Sequence, residues 1–205
     1  MKIAVIGTGN VGSALAEKWA DAGHEIFLGV RDTANFKGKE LLKLKGVTAL
    51  ETKAAVAAAE VILIAAPAPV AAEVAASLGD TTGKVIIDAM NVVAGRGPAG
   101  FKSTAPAILA HTQARDVVKA FNTTGFNNIK APNYAGTAID AFVAGSSARG
   151  KEIAKRLALD AGFAACYDVG GDDKFELMEQ FAFFWINLAM MQGLGRDIAF
   201  KLLKR

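Results

Sequence analysis

The sequence predicts an α/β protein of the Rossmann type, with a doubly wound, mostly parallel sheet and a C-terminal helical extension. Short apolar runs alternate with helical stretches along the chain, and a glycine-rich loop directly follows the first run. The runs are apolar throughout, which is typical of parallel strands buried on both faces of a sheet. The 205 residues, of which 52% are apolar, suffice for one domain with a substantial core and exclude global disorder.

The individual elements follow from these two patterns. Strands are predicted at the apolar runs 3–6, 25–30, 61–65, 84–88, 117–120, 141–144 and 163–167. Helices are predicted at the Ala-rich or charged stretches 13–22, 38–45, 52–59, 70–78, 104–110 and 148–161. Gly23 follows the first helix and is a suitable C-terminal cap.

The C-terminal part has a different pattern. Residues 173–203 predict one or two long helices, with apolar residues on most sides. A helix that is apolar on most sides is buried on most sides. We therefore expect a homodimer in which Phe181, Phe184 and Trp185 are buried between subunits, and the alternative is a helix that packs on its own sheet.

Composition excludes several classes of protein. The net charge is only +3 and Lys and Arg form no run, so we expect no nucleic-acid partner. The single cysteine, Cys166, excludes an internal disulfide, and two histidines leave little for a metal site. No apolar stretch is long enough for a signal-peptide core or a membrane span, so we expect a cytoplasmic protein.

The loop Gly7-Thr8-Gly9-Asn10-Val11-Gly12 matches the pattern G-x-G-x-x-G between a strand and a helix. In that context Gly7 permits the tight turn, Gly9 lets a pyrophosphate approach the backbone, and Gly12 lets the helix pack close to the strand. The helix N-terminus then presents free N–H groups to the phosphates. The loop predicts dinucleotide binding, and the alternative is a glycine turn of purely structural use.

Arg31, at the end of the second strand, indicates which dinucleotide is bound. An acidic residue at this place would bind the 2′-hydroxyl of NAD, whereas an arginine can pair with the 2′-phosphate of NADP(H). The sequence therefore favours NADP(H). Asp32 is either a turn or capping residue, or a ribose contact that would restore use of NAD.

Three further strand ends face the same crevice, because ligands of open parallel sheets bind at the carboxyl ends of the strands. Ala65, Ala66 and Pro67 are small enough for the cofactor to pass close to the backbone. Asn91 and Asn122 are candidates for the nicotinamide end, although each is also suited to shaping its own loop.

No catalytic acid or base is predicted. His24 and His111 lie at helix ends, and Cys166 lies in an apolar strand. This absence fits a hydride transfer between two cofactors, which needs positioning more than proton chemistry.

The glycine loop, together with Gly29-Val30-Arg31-Asp32 and the segment 192–201, resembles the family of NADP oxidoreductases that act on the deazaflavin coenzyme, factor 420. The segment 117–123 also resembles the cytosolic NADPH-binding domain of six-transmembrane metalloreductases, which pass hydride to a flavin. The resemblance implies a dimer, a closing helix at 192–201 and direct hydride transfer. It also implies contacts with NADP(H) from a set of residues in the strand-end loops, namely Thr8, Asn10, Val11, Arg31, Ala66 and Pro67.

Two positions depart from the deazaflavin family. Val30 stands where the family often has a small hydroxyl residue, which removes one contact with the 2′-phosphate. Asn122 stands where the family tends to have a histidine, and the metalloreductase domains carry asparagine there. Arg96 could hold the anionic tail of a flavin or deazaflavin, or be a solvated loop charge.

These observations predict an NADP(H)-dependent oxidoreductase that transfers hydride between NADPH and a flavin or deazaflavin-type acceptor. We expect residues 1–170 to form the NADP-binding Rossmann domain, and 171–205 to form a helical extension for dimerisation and the substrate cleft. One alternative is a non-catalytic protein that senses NADP(H). Another is a small-metabolite imine or carbonyl reductase, for which Tyr134 or Lys119 would have to donate the proton.

Overall fold

A computed structural model describes residues 1–205 and contains ten strands. They are β1 (Lys2–Ile6), β2 (Glu25–Val30), β3 (Val47–Glu51), β4 (Val61–Ile64), β5 (Val85–Asp88), β6 (Asp116–Ala120), β7 (Asn133–Tyr134), β8 (Thr137–Ala138), β9 (Asp140–Ala144) and β10 (Ala165–Gly170). Eight of the strands form one sheet in the order β10-β9-β6-β5-β4-β1-β2-β3, and β7 and β8 pair separately.

Six α-helices connect the strands, and a seventh follows the last strand. They are α1 (Asn10–Asp21), α2 (Thr52–Ala58), α3 (Ala71–Ser77), α4 (Thr104–His111), α5 (Phe126–Lys130), α6 (Ala148–Asp160) and α7 (Phe175–Ile186). No helix of the structure is both long and apolar enough to cross a membrane.

The direction of the strands confirms the predicted fold class. The first six strands of the chain, β1 to β6, are all parallel to one another. Strand β9 runs antiparallel to β6 and parallel to β10. From β1 the chain first adds β2 and β3 on one side of the sheet, and then returns to add β4, β5 and β6 on the other side. The strand order therefore reverses between β1 and β4. In doubly wound sheets, ligands bind in the crevice at such a reversal.

The sheet has a hydrophobic core on each face. Alternate residues of a strand point to opposite faces, so Ile3 and Val5 join one core and Ala4 and Ile6 join the other. Helices α1 and α6 cover the first face, and α2, α3, α4 and the start of α7 cover the second. The fully buried indole of Trp19 donates a hydrogen bond of 2.9 Å to the carbonyl oxygen of Leu157, which joins α1 to α6.

The predicted long helix over 173–203 is wrong beyond residue 191. Helix α7 ends at Ile186 and continues as a short π-helical turn, Asn187–Met191, and residues 192–205 form no helix. The expected closing helix at 192–201 is therefore also absent. Gly193 and Gly195 have φ values of 74° and 81°, a left-handed conformation that ends a right-handed helix.

The C-terminal segment instead folds back over α7. The Trp185 indole donates a hydrogen bond of 2.6 Å to the carbonyl oxygen of Ile198, and only 5% of the residue is exposed. The burial of Trp185 therefore does not require a second subunit, contrary to our expectation. Phe181 stacks on Phe200 at 4.6 Å between ring centroids, whereas Phe184 is 51% exposed.

Some smaller elements differ from the prediction. The edge strand β3 was not predicted, because Thr48 and Glu51 are exposed polar residues and the strand lacks a continuous apolar run. The predicted helix 38–45 is a 3₁₀ turn over Lys39–Lys43, and the last strand begins at Ala165 rather than at residue 163.

Candidate functional site

The carboxyl ends of β2, β1, β4, β5 and β6 lie side by side along one edge of the sheet. Four strand spacings separate the two ends of this row, a distance of about 19 Å. The row brings together all the site residues predicted from the sequence: Gly7, Thr8, Gly9, Asn10, Val11, Gly12, Val30, Arg31, Ala65, Ala66, Pro67, Asn91 and Asn122. A ligand that contacts both ends must be long and segmented.

Two of the loop glycines are required by close backbone contacts. A Cβ on Gly7 would lie 2.5 Å from the carbonyl oxygen of Ala65, and the φ of Gly7 is 101°. A Cβ on Gly12 would lie 1.9 Å from the carbonyl oxygen of Gly7. The side chain of Ser13 donates a hydrogen bond of 3.0 Å to the carbonyl oxygen of Thr8 and fixes the turn. The glycine loop is therefore tightly packed against the chain at the end of β4.

Gly9 has the opposite surroundings. A Cβ on this residue would meet nothing within 4 Å, and its φ of −75° is available to any residue. Gly9 is the N-terminal cap of α1, and no side chain caps the helix. The first-turn N–H groups therefore have no side-chain acceptor, and no acidic residue lies in that turn. Free amides, the helix dipole and open space above Gly9 suit a pyrophosphate.

The end of β2 presents a charged loop beside the glycines. Arg31 is exposed, whereas the Val30 side chain is only 7% exposed and packs in the core. The Asp32 carboxylate accepts a hydrogen bond of 2.8 Å from the backbone N–H of Ala34, which is the turn role considered for it. A Cβ on Gly38 would lie 3.1 Å from the carbonyl oxygen of Thr8, so the charged loop contacts the glycine loop.

The end of β4 supports the floor of the crevice. The backbone N–H of Ala65 donates a hydrogen bond of 2.8 Å to the carbonyl oxygen of Ile6, which extends the ladder between β1 and β4. Ala66 is half-buried and Pro67 is exposed. These small residues leave the backbone next to the glycine loop accessible.

Asn91 and Asn122 are hydrogen-bonded to each other at the other end of the row. The Asn91 amide donates to the carbonyl oxygen of Asn122, and the Asn122 amide donates to Oδ1 of Asn91, both at 2.8 Å. The Asn122 amide also donates to the carbonyl oxygen of Met178 at 3.1 Å. Its own Oδ1 is buried and has no hydrogen-bond partner. An unpaired buried acceptor is costly unless a ligand supplies the donor.

Phe121, which precedes Asn122, has a φ of 61° although it is a bulky residue. Such a conformation costs about 1–3 kcal/mol and is concentrated at functional sites. The Phe121 ring is held by an edge-to-face contact with Trp19, at 5.5 Å between centroids. The strained backbone turns the chain at the end of β6, directly before Asn122.

A buried charged cluster beneath this pair was not predicted from the sequence. Lys119 is fully buried, and its ammonium lies 2.7 Å from Asp88 Oδ2 and 2.8 Å from Glu179 Oε1. It also donates to the carbonyl oxygen of Met90 at 2.9 Å, and Thr104 lies among the three charges. The sequence did contain a signal, since Asp88 and Lys119 each interrupt an apolar strand, and such charges are seldom buried unless they are paired.

The cluster holds the loop after β5. The backbone N–H of Val92 donates to Glu179 Oε2 at 3.1 Å, and the backbone N–H of Met90 donates to Asp88 Oδ1 at 2.9 Å. Asn91 therefore lies between two residues whose backbone is bonded to the cluster. Lys119 lies in strand β6, as predicted from the sequence. Its ammonium is already bonded to Asp88, Met90 and Thr104, so it is not free to donate a proton to a substrate.

The remaining titratable candidates are engaged elsewhere. The Tyr134 hydroxyl donates to Asn128 Oδ1 at 2.6 Å. Burial and the negative charge of Asp197 raise the pKa of Tyr134 above its ordinary value. His24 lies 2.9 Å from Asp160, and the ring of His111 contacts the carbonyl oxygen of Ala107 at 2.9 Å. Burial raises the pKa of the Cys166 thiol to about 12, so the thiol is a poor nucleophile.

Two of the surface depressions differ in their position relative to the candidate site. One of about 270 Å³ lies between the loop after β5 and α7, and its lining includes Val92, Gly95, Lys102 and Glu179. Another of about 500 Å³, bounded by Met1 and Glu60, lies at the amino ends of the strands, away from the candidate site. Arg96 is exposed on a turn beside the first depression.

Comparisons with known proteins agree with this geometry. Residues 2–92 match the model of the family described as NADP oxidoreductase, coenzyme F420-dependent, which confirms the resemblance predicted for the glycine loop. The chain is 25% identical to a protein from Arthrobacter sp. FB24 described as a candidate F420-dependent NADP reductase, with a TM-score of 0.84 and 100% of both chains covered. A hypothetical protein from Sinorhizobium meliloti is also 25% identical, with a TM-score of 0.73 over 100% of this chain and 96% of that one.

A more distant likeness concerns the fold alone. A reductive aminase from Aspergillus terreus, solved in complex with NADPH and ethyl-5-oxohexanoate, is 21% identical with a TM-score of 0.67. The alignment covers 94% of this chain and 62% of the aminase. The resemblance to the metalloreductase domain stays a prediction.

Proposed function

We propose that this NADP-dependent oxidoreductase, related through residues 2–92 to the coenzyme F420-dependent family, passes hydride between NADPH and a flavin or deazaflavin-type acceptor. The observation that carries the proposal is the buried Oδ1 of Asn122, which has no partner and lies at the end of the row that begins at Arg31. A nicotinamide carboxamide has the N–H donor that this oxygen lacks.

The strand-end loops would hold the nucleotide in segments. The first-turn amides of α1, with Thr8, Asn10 and Val11 around the open face of Gly9, suit the pyrophosphate. Arg31 suits the 2′-phosphate, since its guanidinium is exposed beside the glycine loop. Val30 contributes only backbone, because its side chain lies in the core. Ala65, Ala66 and Pro67 leave room for the ribose between the two ends.

When bound, NADPH supplies the hydride, and the acceptor takes up that hydride together with one proton from solvent. The protein has to orient the nicotinamide and keep the acceptor ring against it. Asn91 and Asn122 serve the first need, since their mutual hydrogen bonds prevent either amide from rotating.

The lack of a free proton donor supports this acceptor class. An imine or carbonyl reductase needs an acid in the cleft, but Tyr134 and Lys119 are both committed to hydrogen bonds within the protein. A flavin or deazaflavin ring exchanges its proton with solvent instead. The depression beside Val92 is lined by Lys102 and also by Glu176 and Glu179, and Arg96 is exposed on the neighbouring turn. Lys102 and Arg96 are therefore the candidates for holding the anionic tail of such a ring.

The division of the chain supports this arrangement. Residues 1–170 would form the nucleotide-binding domain, and residues 171–205 would close the cleft through α7 and form a homodimer. Phe184 and Leu177 on α7 are 51% and 49% exposed, which is unusual for large apolar side chains. A solution mass near that of one 21.3 kDa chain at micromolar concentration would exclude the dimer.

The test is stopped-flow absorbance at 340 nm (the band lost when NADPH is oxidised). Purified protein is mixed with NADPH and then with FAD, FMN or the deazaflavin coenzyme, and NADH serves as the control nucleotide. We expect rapid NADPH oxidation with one acceptor and much slower oxidation of NADH. Tight NADPH binding without turnover by any acceptor would contradict hydride transfer to this class and favour an NADP(H) sensor.

A further inference from the structure

The cluster of Lys119, Asp88 and Glu179 contains one cation and two carboxylates in a fully buried environment. Relative exposures are 0% for Lys119, 0% for Asp88 and 4% for Glu179. Both oxygens of each carboxylate face donors. Asp88 accepts from Met90 N–H, Lys119 and Thr104 Oγ1, and Glu179 accepts from Val92 N–H, Thr104 N–H and Lys119. Every carboxylate oxygen of the two acids therefore accepts at least one hydrogen bond, and one ammonium with two carboxylates has a formal net charge of one negative.

This charge lies next to the Asn91–Asn122 pair. Met90 and Val92, on either side of Asn91, are both bonded to the cluster. The Asn122 amide donates to the carbonyl oxygen of Met178, the residue before Glu179. The cluster is therefore bonded to the chain neighbours of Asn91, and Glu179 follows the residue to which Asn122 is bonded. The buried core shields the cluster from water.

Nearby cations do not cancel the charge. Lys102, which lines the adjacent depression, and Arg96, on the neighbouring turn, are both exposed, so their fields are screened by solvent. Arg31 lies at the far end of the row, about 19 Å away by strand spacing. A buried charge acts over longer distances than an exposed one, because the protein interior has a lower effective dielectric constant.

We propose that the Lys119–Asp88–Glu179 cluster both positions the Asn91–Asn122 pair and, through its net negative charge, favours the oxidised nucleotide. The inference rests on the proposed function, in which the pair holds the nicotinamide. The oxidised nicotinamide ring is a cation and the reduced ring is neutral. A nearby fixed negative charge therefore stabilises bound NADP⁺ relative to bound NADPH. This differential affinity biases the bound nucleotides toward hydride donation.

Glu179→Gln tests the proposal, because it removes one charge and keeps the size of the side chain. Dissociation constants for NADP⁺ and NADPH are measured by isothermal titration calorimetry, without any acceptor. A unit charge near the ring changes affinity for a cation roughly three- to tenfold. We expect NADP⁺ to bind that much more weakly relative to NADPH in the variant. Lost positioning alone would weaken both nucleotides by the same factor.

Two further variants complete the design. Asp88→Asn makes the same charge change from another element and is expected to shift the ratio in the same direction, so the test survives if one variant fails to fold. Glu152→Gln is the matched control, since Glu152 is exposed on α6 and pairs only with Lys155. Circular dichroism and thermal unfolding verify that each variant is folded.

The outcomes separate this inference from the proposed function. If the wild type binds neither nucleotide, the proposed function fails. If it binds both and the ratio of the two dissociation constants stays within twofold of wild type in the folded cluster variants, the charge proposal is overturned while the proposed function stands. A shift in Glu179→Gln or Asp88→Asn that is absent from Glu152→Gln supports the proposal.

Discussion

Gly12 packs so closely against Gly7 that a Cβ on Gly12 would lie 1.9 Å from the carbonyl oxygen of Gly7. This contact sets the distance between β1 and the start of α1, and it leaves no room for any side chain. Gly9, between the two, has open space instead. Two glycines of the motif are therefore required by the fold, whereas the fold places no steric demand on Gly9, and under the proposed function its open space serves the ligand.

Alanine substitutions should separate these two roles. We expect Gly12→Ala to lower the melting temperature by many degrees, because neither backbone nor helix can move away. Gly9→Ala should leave the melting temperature nearly unchanged and weaken NADPH binding at least tenfold, because the new methyl group occupies the space for the pyrophosphate. Thermal unfolding and a binding titration measure the two effects. Equal losses of stability in both variants would refute the distinction.

Arg31→Ala should weaken NADPH binding about ten- to a hundredfold, since a charge-assisted contact contributes roughly 1.5–3 kcal/mol. Binding of NADH, which lacks the 2′-phosphate, should change little. Arg115→Ala is a suitable control, because Arg115 is exposed at the opposite, amino end of β6. If wild type and Arg31→Ala bind NADPH equally well, Arg31 has no role in choosing the nucleotide.

Lys119→Met should destabilise the protein by about 3–5 kcal/mol, because it leaves Asp88 and Glu179 buried without their cation. Lys130→Met, at an exposed lysine paired with Glu17, should cost less than about 1 kcal/mol. Urea unfolding followed by tryptophan fluorescence gives both free energies. Similar values for the two lysines would mean that the buried charges have found another partner.

Tyr134→Phe should change the pH dependence of stability. Burial and then Asp197 raise the pKa of Tyr134 above its ordinary 10.0 in the folded protein. Above pH 10 the unfolded chain therefore loses this proton first, and the stability that Tyr134 contributes falls as the pH rises. The advantage of wild type over Tyr134→Phe, about 1 kcal/mol from the hydrogen bond to Asn128 at pH 8, should shrink as the pH rises above 10. Parallel stability curves would contradict this.

Local sequence patterns were sufficient to predict the central strands and the row of loops at their carboxyl ends. Apolar runs such as 61–64 and the glycine motif depend on neighbours in the sequence, so they are readable without the fold. The Lys119 cluster depends on residues from β5, β6, α4 and α7 that meet only after folding. Asn91 and Asn122 were expected to face the same crevice, but their hydrogen bonds to each other were not predicted. Such bonds between strand ends depend on the register of β5 and β6 in the sheet.

The C-terminal misprediction has a specific cause. Apolar spacing continues through Leu194, and periodicity alone cannot detect the left-handed conformations of Gly193 and Gly195. Contacts with distant parts of the chain stabilise the C-terminal segment. The Lys201 ammonium and the backbone N–H of Leu202 both donate at 2.8 Å to the buried carboxylate of Asp140. The direction of β9 was likewise not predicted, because an apolar strand of five residues reads the same in either direction.

The reversal of β9 sets a boundary to the crevice. β9 and β10 run opposite to the other strands, so their carboxyl ends open onto the far side of the sheet. The row of strand-end loops therefore stops at Asn122, because the neighbouring strand β9 begins at this edge of the sheet and does not end there. Under the proposed function, the acceptor ring would therefore approach the nicotinamide from the open side of the crevice. Such one-sided access would make the transfer stereospecific, with a single face of each ring presented to the other.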